Sequence, residues 1–490
     1  MQMDRILKLS LGFLLIGSVL VSAEELDFGH CETVVTRWAD SSSLEENVSE
    51  NKRSLQDLLF FLHVPRTGGR TYFHCFLRKM YDSTDECPRS YDKLHFDPRK
   101  AKCKLLATHD DYSLMSKLPR ERTSVMTIVR DPIARVLSTY EFSVEVAARF
   151  LVHPNLTSAT VMSARIRKPN VISTLDIWPW KYLVPWMRED LFARRDARKA
   201  REVVMIEDDN PYDMEEMLMP LHKYLDTPIA HDIIHNGATF QITGLTNNSH
   251  LSEAHEIRRC VQKFKSLGEY VLKVAKRRLN SMLYVGLTEE HRESASLFAN
   301  VVGSQVLSRV VLHDSTAKAK ATKPEPSVKV SESGSEDGES QNDTSRVALG
   351  KAEAKSGNMT VKTLMEVYEG CISNLWKTQA TRRVNSLKRI APANFSKEAR
   401  KKVPDKVIQH IRSLNHLDVD IYEYAKEIFA KEHEQVSTKS VLTNEFRSVL
   451  GESDDDKLWK KLLPLALLVL LLFSFFLFVK ARRRTSKVKI

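Results

Sequence analysis

Three groups of side chains in this chain have types and spacings that can do chemistry. Arg66, Thr67, Gly68, Gly69, Arg70 and Thr71 crowd two cations, two hydroxyls and two glycines into one short stretch. The glycines permit a tight turn and close backbone approach to a ligand. The arginines and threonines add fixed positive charge and hydroxyl donors. That combination binds an anion. Arg130 and Ser138 offer a second anion site further along. His109 precedes Asp110 and Asp111, an arrangement that suits a base with a tuned pKa, although such a histidine taken alone reads better as a core or surface residue.

The elements that must hold these groups are visible around them. Residues 58–64 form a run apolar at every position but His63, as a buried parallel strand does, and Pro65 ends it. After the glycines, Phe73, Phe76, Leu77 and Met80 fall at i, i+3, i+4 and i+7, so a helix with one apolar face follows. Strand, glycine turn and helix N-terminus together present free N–H groups to an anion. The loop is not that of a nucleotide triphosphatase, which needs G-x-x-x-x-G-K-[ST]; here Val64 stands at the first glycine and Arg70 at the lysine. A short apolar run, 105–108, leads to His109. Residues 124–129 read as a strand stopped by Arg130-Asp131-Pro132, with Asp131 as N-cap and Pro132 as first helical residue. Ile133, Val136, Leu137 and Tyr140 then give an apolar stripe. With further strands near Val203 and Leu283, the pattern predicts an α/β fold with a parallel sheet flanked by helices and a ligand at the strand C-termini.

P-R-T-G-G-R-T after a strand resembles the 5′-phosphosulfate loop of sulfotransferases that use 3′-phosphoadenosine 5′-phosphosulfate (PAPS), above all the P-K-T-G-G-T-T loop of heparan sulfate O-sulfotransferases. The departure is Arg66 where lysine is usual; arginine is a rigid fork, lysine a mobile point donor. R-[DE]-P-x-x-R-x-x-S-x-Y over residues 130–140 is similar to the family's 3′-phosphate site, and H-D-D-Y at 109–112 to the H-A-D-W segment that carries the general base of heparan sulfate 6-O-sulfotransferases. Residues 236–244 and 283–289 resemble segments that close over the nucleotide, which implies a contact from Thr288. Asn415, Leu417, Asp418, Tyr422 and Tyr424 resemble the last helix of the domain. The resemblance covers about residues 57–434 and implies a P-loop-like PAPS sulfotransferase fold. It assigns Arg66, Thr67, Gly68, Gly69, Arg70 and Thr71 to the phosphosulfate, Arg130 and Ser138 to the 3′-phosphate, and catalysis to His109 and Arg66. PAPS is then the co-substrate, and no metal is required.

The termini add a topology. Residues 1–23 read as a secretory signal with a small-residue cleavage site, an uncleaved anchor being the alternative. Residues 24–54 are polar and read as a luminal stalk. Residues 462–479 are apolar, uncharged and just long enough to span a bilayer, with basic residues after them and acidic ones before. The expectation is a catalytic domain at 55–435 with a disordered insertion at 315–360, a juxtamembrane stalk at 436–461, one transmembrane helix at 462–479 and a cytoplasmic tail at 480–490. That is a single-pass type I protein of the Golgi membrane, its catalytic domain luminal. Sequons at Asn47, Asn155, Asn247, Asn342, Asn358 and Asn394 agree with a lumen. An oxidising lumen allows some of the six cysteines to pair; Cys87 with Cys103 would close a loop, but spacing alone fixes no connectivity. The net charge of +11 calls for acidic partners. Nucleic acid is excluded by the secretory signals. The aromatics at 177–186 serve either an acceptor cleft or the core, and the arginine-rich run at 188–201 reads as a solvated helix face.

A heparan-type domain in a type I frame resembles the plant tyrosylprotein sulfotransferases. It implies transfer of a sulfuryl group to tyrosines in acidic motifs of secreted peptides and proteins. The alternatives are a glycan O-sulfotransferase and an inactive PAPS-binding receptor-like protein.

Overall fold

A computed structural model describes residues 27–44, 54–88, 94, 96–165, 174–201, 210–309, 359–388, 390 and 393–449. The centre is a parallel sheet of β1 (Leu58–Leu62), β2 (Leu105–Thr108), β3 (Thr123–Val129) and β4 (Tyr284–Leu287), in the order β2-β1-β3-β4. Every residue of the four strands is buried, because helices cover both faces and leave no polar side to alternate. The register sets Leu62 against both Thr108 and Thr127, and Val129 against Leu287. All four strands therefore end along one edge. His63, His109, Arg130 and Thr288 are each the first residue after a strand.

The helix expected after the glycines is α2, Gly69–Tyr72, which continues through a π-helical turn, Phe73–Leu77, to Met80. Its predicted apolar face is fully buried. The helix after β3 is α3, Pro132–Arg149, with the Asp131 carboxylate accepting from the Ala134 amide at 2.8 Å and Pro132 in the first turn. α3 packs against α4 (Trp180–Arg201) around a core that includes Tyr140, Val144, Leu183, Met187 and Tyr224. α5 (Gly237–Ile242), α6 (Ala254–Lys263), α7 (Gly268–Ser281) and α8 (His291–Phe298) follow. The long α9, Val361–Leu387, packs against both the π turn of α2 and α3. The last helix, α10, is His416–Val449; the compact unit ends at Phe429, within it.

Three expectations need correction or fall outside the described residues. The spanning helix is not supported: among the described residues no helix is long and apolar enough to cross a membrane, and 462–479 lies outside them. The segment 24–54 is not a loose stalk where it is described. Phe28–Leu44 forms a helix, α1, that packs on α6 and α7 and is tied to α6 by the Cys31–Cys260 disulfide. Its buried Cys31, Val34, Val35 and Trp38 recur at helical spacing, which outweighs the polar composition. The leader at 1–23, the strand near Val203 and most of the insertion at 315–360 lie outside the described residues.

Candidate active site

The loop after β1 takes the shape its glycines predict. Gly68 has φ +80° and Arg66 φ +69°, so the backbone turns twice through the left-handed region, a conformation that anion-binding nests use. Thr67 Oγ1 donates to the Val64 carbonyl at 2.9 Å, and the Thr71 amide to the Gly68 carbonyl at 2.8 Å. Thr67 is thereby spent on holding the turn. Gly69 has a different reason to be glycine. A Cβ there would lie 2.3 Å from the His63 ring.

The second anion motif meets the first. Arg66 Nε donates to Ser138 Oγ at 3.0 Å, and its guanidinium lies 4.4 Å over the Phe142 ring, one turn further along α3. Arg130 Nη1 donates to the Arg66 carbonyl at 3.0 Å and its Nε lies 3.7 Å from Glu289. Burial, then Arg130 and Arg383, lower the Arg66 pKa; an arginine so shifted is still a cation at neutral pH. Thr288 Oγ1 lies 2.7 Å from the Thr67 carbonyl and 3.0 Å from that of Val129, and donates there. Arg70 is exposed on the first turn of α2. The structure thus brings Arg66, Thr67, Gly68, Gly69, Arg70, Thr71, Arg130, Ser138 and Thr288 to one end of the sheet.

His109 stands at the same edge, past β2. Its Nδ1 lies 2.7 Å from the His63 main-chain carbonyl, which can only accept. The proton is therefore on Nδ1, and Nε2 keeps the lone pair a base requires. Burial lowers the His109 pKa to about 4, with Arg66 adding to the effect and the His63 carbonyl opposing it, so the ring is neutral at physiological pH. Asp110 and Asp111, next in line for the role, are used otherwise. Asp110 accepts from Thr108 Oγ1 at 2.9 Å and from Asn248; Asp111 caps the following turn through the Ser113 amide and accepts from the amide and hydroxyl of Thr246.

The roles of four participants escaped the sequence reading. His63 is buried, its ring 4.4 Å from that of His109 and stacked on Phe61. Gln241 of α5 donates to the His109 carbonyl at 2.8 Å and lies 3.3 Å from those of His63 and Asp110. Asp418 of α10 accepts from the amide and hydroxyl of Thr239, both at 2.7 Å, and from Arg135 at 2.7 Å. Glu141, wholly buried on α3, takes both arms of Arg400 at 2.7 Å and the Tyr212 hydroxyl at 2.7 Å. The segment 236–244 therefore supports His109, and α10 supports that segment. Trp178 and Trp180 join the core: Trp178 donates to Asp232, and Trp180 packs edge-on against Phe142, which carries Arg66.

A nested loop with a guanidinium, a second arginine and serine beside it, and a neutral imidazole with a fixed lone pair can hold a doubly anionic donor and remove a proton from an incoming hydroxyl. Among the described residues no group of side chains could hold a metal ion. No family model matches the chain. Over its full length, and over the full length of the relative, it is 77% identical to a protein of Arabidopsis thaliana named protein-tyrosine sulfotransferase.

Proposed function

The chain belongs to the protein-tyrosine sulfotransferases, and on that premise we propose that its sulfuryl donor is PAPS and its acceptors are tyrosines beside acidic residues. One observation carries the donor reading: the base, the loop, and the arginine of the second anion motif follow adjacent strands at one edge of the sheet. His109 Nε2 takes the phenol proton, and the phenol oxygen attacks sulfur. The bond from sulfur to the bridging phosphate oxygen breaks, and the adenosine 3′,5′-bisphosphate leaves with that oxygen. A phenol pKa near 10 puts the proton within reach of a neutral imidazole once the sulfuryl group arrives. Arg66 and the loop amides offset charge on the transferred group and the leaving phosphate, a role that needs positioning more than covalent chemistry. Arg130 and Ser138 hold the 3′-phosphate.

The net charge of +11 favours an acidic peptide. The Golgi lumen is the compartment we propose. It agrees with three disulfides, Cys31–Cys260, Cys75–Cys371 and Cys87–Cys103, which form and persist in oxidising surroundings. Exposed sequon asparagines at 155, 247 and 394 agree too; Asn47, Asn342 and Asn358 lie outside the described residues.

The test is transfer of labelled sulfate from PAPS to a peptide containing Asp-Tyr, to the same peptide with Asn for Asp, and to desulfated heparan. Label on the first, less on the second and little on heparan is the expected result. Label from another sulfate donor but not from PAPS would overturn the donor reading, and equal labelling of both peptides the acidic-acceptor reading.

A further inference from the structure

α9 crosses the site in an unusual way. Its inward face is buried at both ends. Leu364, Tyr368 and Ile372 pack at the near end, where Tyr368 stacks on Phe76 at 4.2 Å and Cys371 is bonded to Cys75 of α2. Ser386 and Leu387 are buried at the far end, where Arg383 reaches Glu145 and Glu141 at 3.3 and 3.5 Å on α3. Between them the same face continues, at steps of three and four, through Leu375, Trp376, Gln379 and Arg383. There the burial stops: Leu375 and Gln379 are half-exposed, and Trp376 is 50% exposed. The helix is anchored on the loop helix and on the Ser138 helix, and its middle lies between those two anchors. An exposed tryptophan on an otherwise core-facing stripe asks for a ligand.

The order of the strand ends says which one. The base follows β2, the phosphosulfate loop β1, Arg130 follows β3, and Thr288 follows β4. A donor with its sulfuryl group over β1 and its 3′-phosphate at β3 has only its base left to place, toward β4, about 10 Å from β1 at the usual strand spacing. Trp376 lies on that side: its ring is 5.5 Å from His291, the residue that opens α8 just past Thr288. The acceptor, by contrast, must come to His109 at the opposite end of the row.

Resting on the PAPS reading, we propose that Trp376, backed by His291, is the stacking platform for the purine of the donor. α9 is then a roof over the nucleotide, delivered from the far side of the insertion. Stacking discriminates bases from no base, so it affects donor affinity and not the chemical step.

The test is calorimetric binding to the full chain of two probes: adenosine 3′,5′-bisphosphate, and ribose 3,5-bisphosphate, which has both phosphates and no base. Trp376→Ala should weaken the first by about tenfold or more, and leave the second as in the unmutated protein. Trp376→Phe should recover most of the loss. An unchanged affinity for the nucleotide in Trp376→Ala, or an equal loss for both probes, would overturn the proposal while the donor reading stands. If the unmutated protein binds neither probe, the donor reading fails and this inference with it.

Discussion

The carbonyl oxygen of His63 accepts the Nδ1 hydrogen of His109 across 2.7 Å, although the two residues are 46 positions apart. Parallel register explains it. Leu62 pairs with Thr108, so the next residues on β1 and β2 emerge side by side. The loop we propose for the donor begins two residues after His63, and the base we propose is His109 itself. On that reading one hydrogen bond joins the two halves of the reaction.

Removing the base should separate binding from turnover. His109→Ala is expected to keep its affinity for adenosine 3′,5′-bisphosphate and to lose turnover by about a hundredfold or more. With the pKa lowered to about 4, the base is deprotonated above that value, so turnover attributable to it should hold down to about pH 5 and fall below about pH 4. An acid limb near 6.5 would mean that another group sets the profile.

Gly69 and His63 should behave as a pair. A Cβ at Gly69 would meet His63 Cδ2 at 2.3 Å and Nε2 at 2.4 Å, with the Phe61 ring tip at 2.8 Å. Gly69→Ala should therefore displace the His63 ring and lower turnover. Adding His63→Ala makes room, and the double variant should be more active than the sum of the two single losses allows. Strict additivity would show that the two positions act separately.

Loss of Arg66 and loss of Arg130 should look different. Arg66→Ala is expected to lower turnover, and Arg130→Ala to weaken donor binding, each by about ten- to a hundredfold for one charge-assisted contact. Nucleotide affinity at the unmutated level in Arg130→Ala would remove the 3′-phosphate assignment.

Asp418 should be a stability residue that reaches the site only indirectly. It pairs with Arg135 at 2.7 Å with both side chains 1% exposed. Asp418→Ala strands that arginine, a change that costs about 3–5 kcal/mol. Denaturant unfolding should show it, and a loss below about 1 kcal/mol would mean that Arg135 finds another acceptor.

Acid should destabilise the fold. His63, His74 and His109 all have lowered pKa values, in each case by burial first. Unfolded histidines take up protons as pH falls through about 6.5, while these folded ones do not, so stability is full above that and declines toward about pH 4. Melting temperatures compared at pH 7.5 and 5 check the sign. A higher value at pH 5 would contradict it.

What the sequence made legible was local. The apolar run, Pro65, the paired glycines and the 3.6-residue stripe sit within one strand-turn-helix, and each follows from neighbouring residues. So does the Asp131 cap. His63 was hidden because a histidine closing an apolar run looks like part of the strand; its meaning depends on the β1–β2 register. The roles of Gln241 and Asp418 were hidden for the same reason, since their partners lie more than a hundred positions away. α1 could have been found. Val34, Val35 and Trp38 already mark a helix face, and only the polar residues between them suggested a stalk.

The bond between Cys75 and Cys371 sets a schedule for biosynthesis. The cysteines are separated by 296 positions, whereas Cys87 and Cys103 are separated by 16. At about 5–20 residues per second, roughly a quarter of a minute to a minute passes between the synthesis of Cys75 and that of its partner. Through that interval Cys75 is a thiol on the loop helix, near in sequence to two cysteines that can already close on each other. Cells starved of disulfide-exchange capacity should therefore accumulate chains with the short loop closed and the long one open, and such chains would lack the tether that holds α9 to the loop helix.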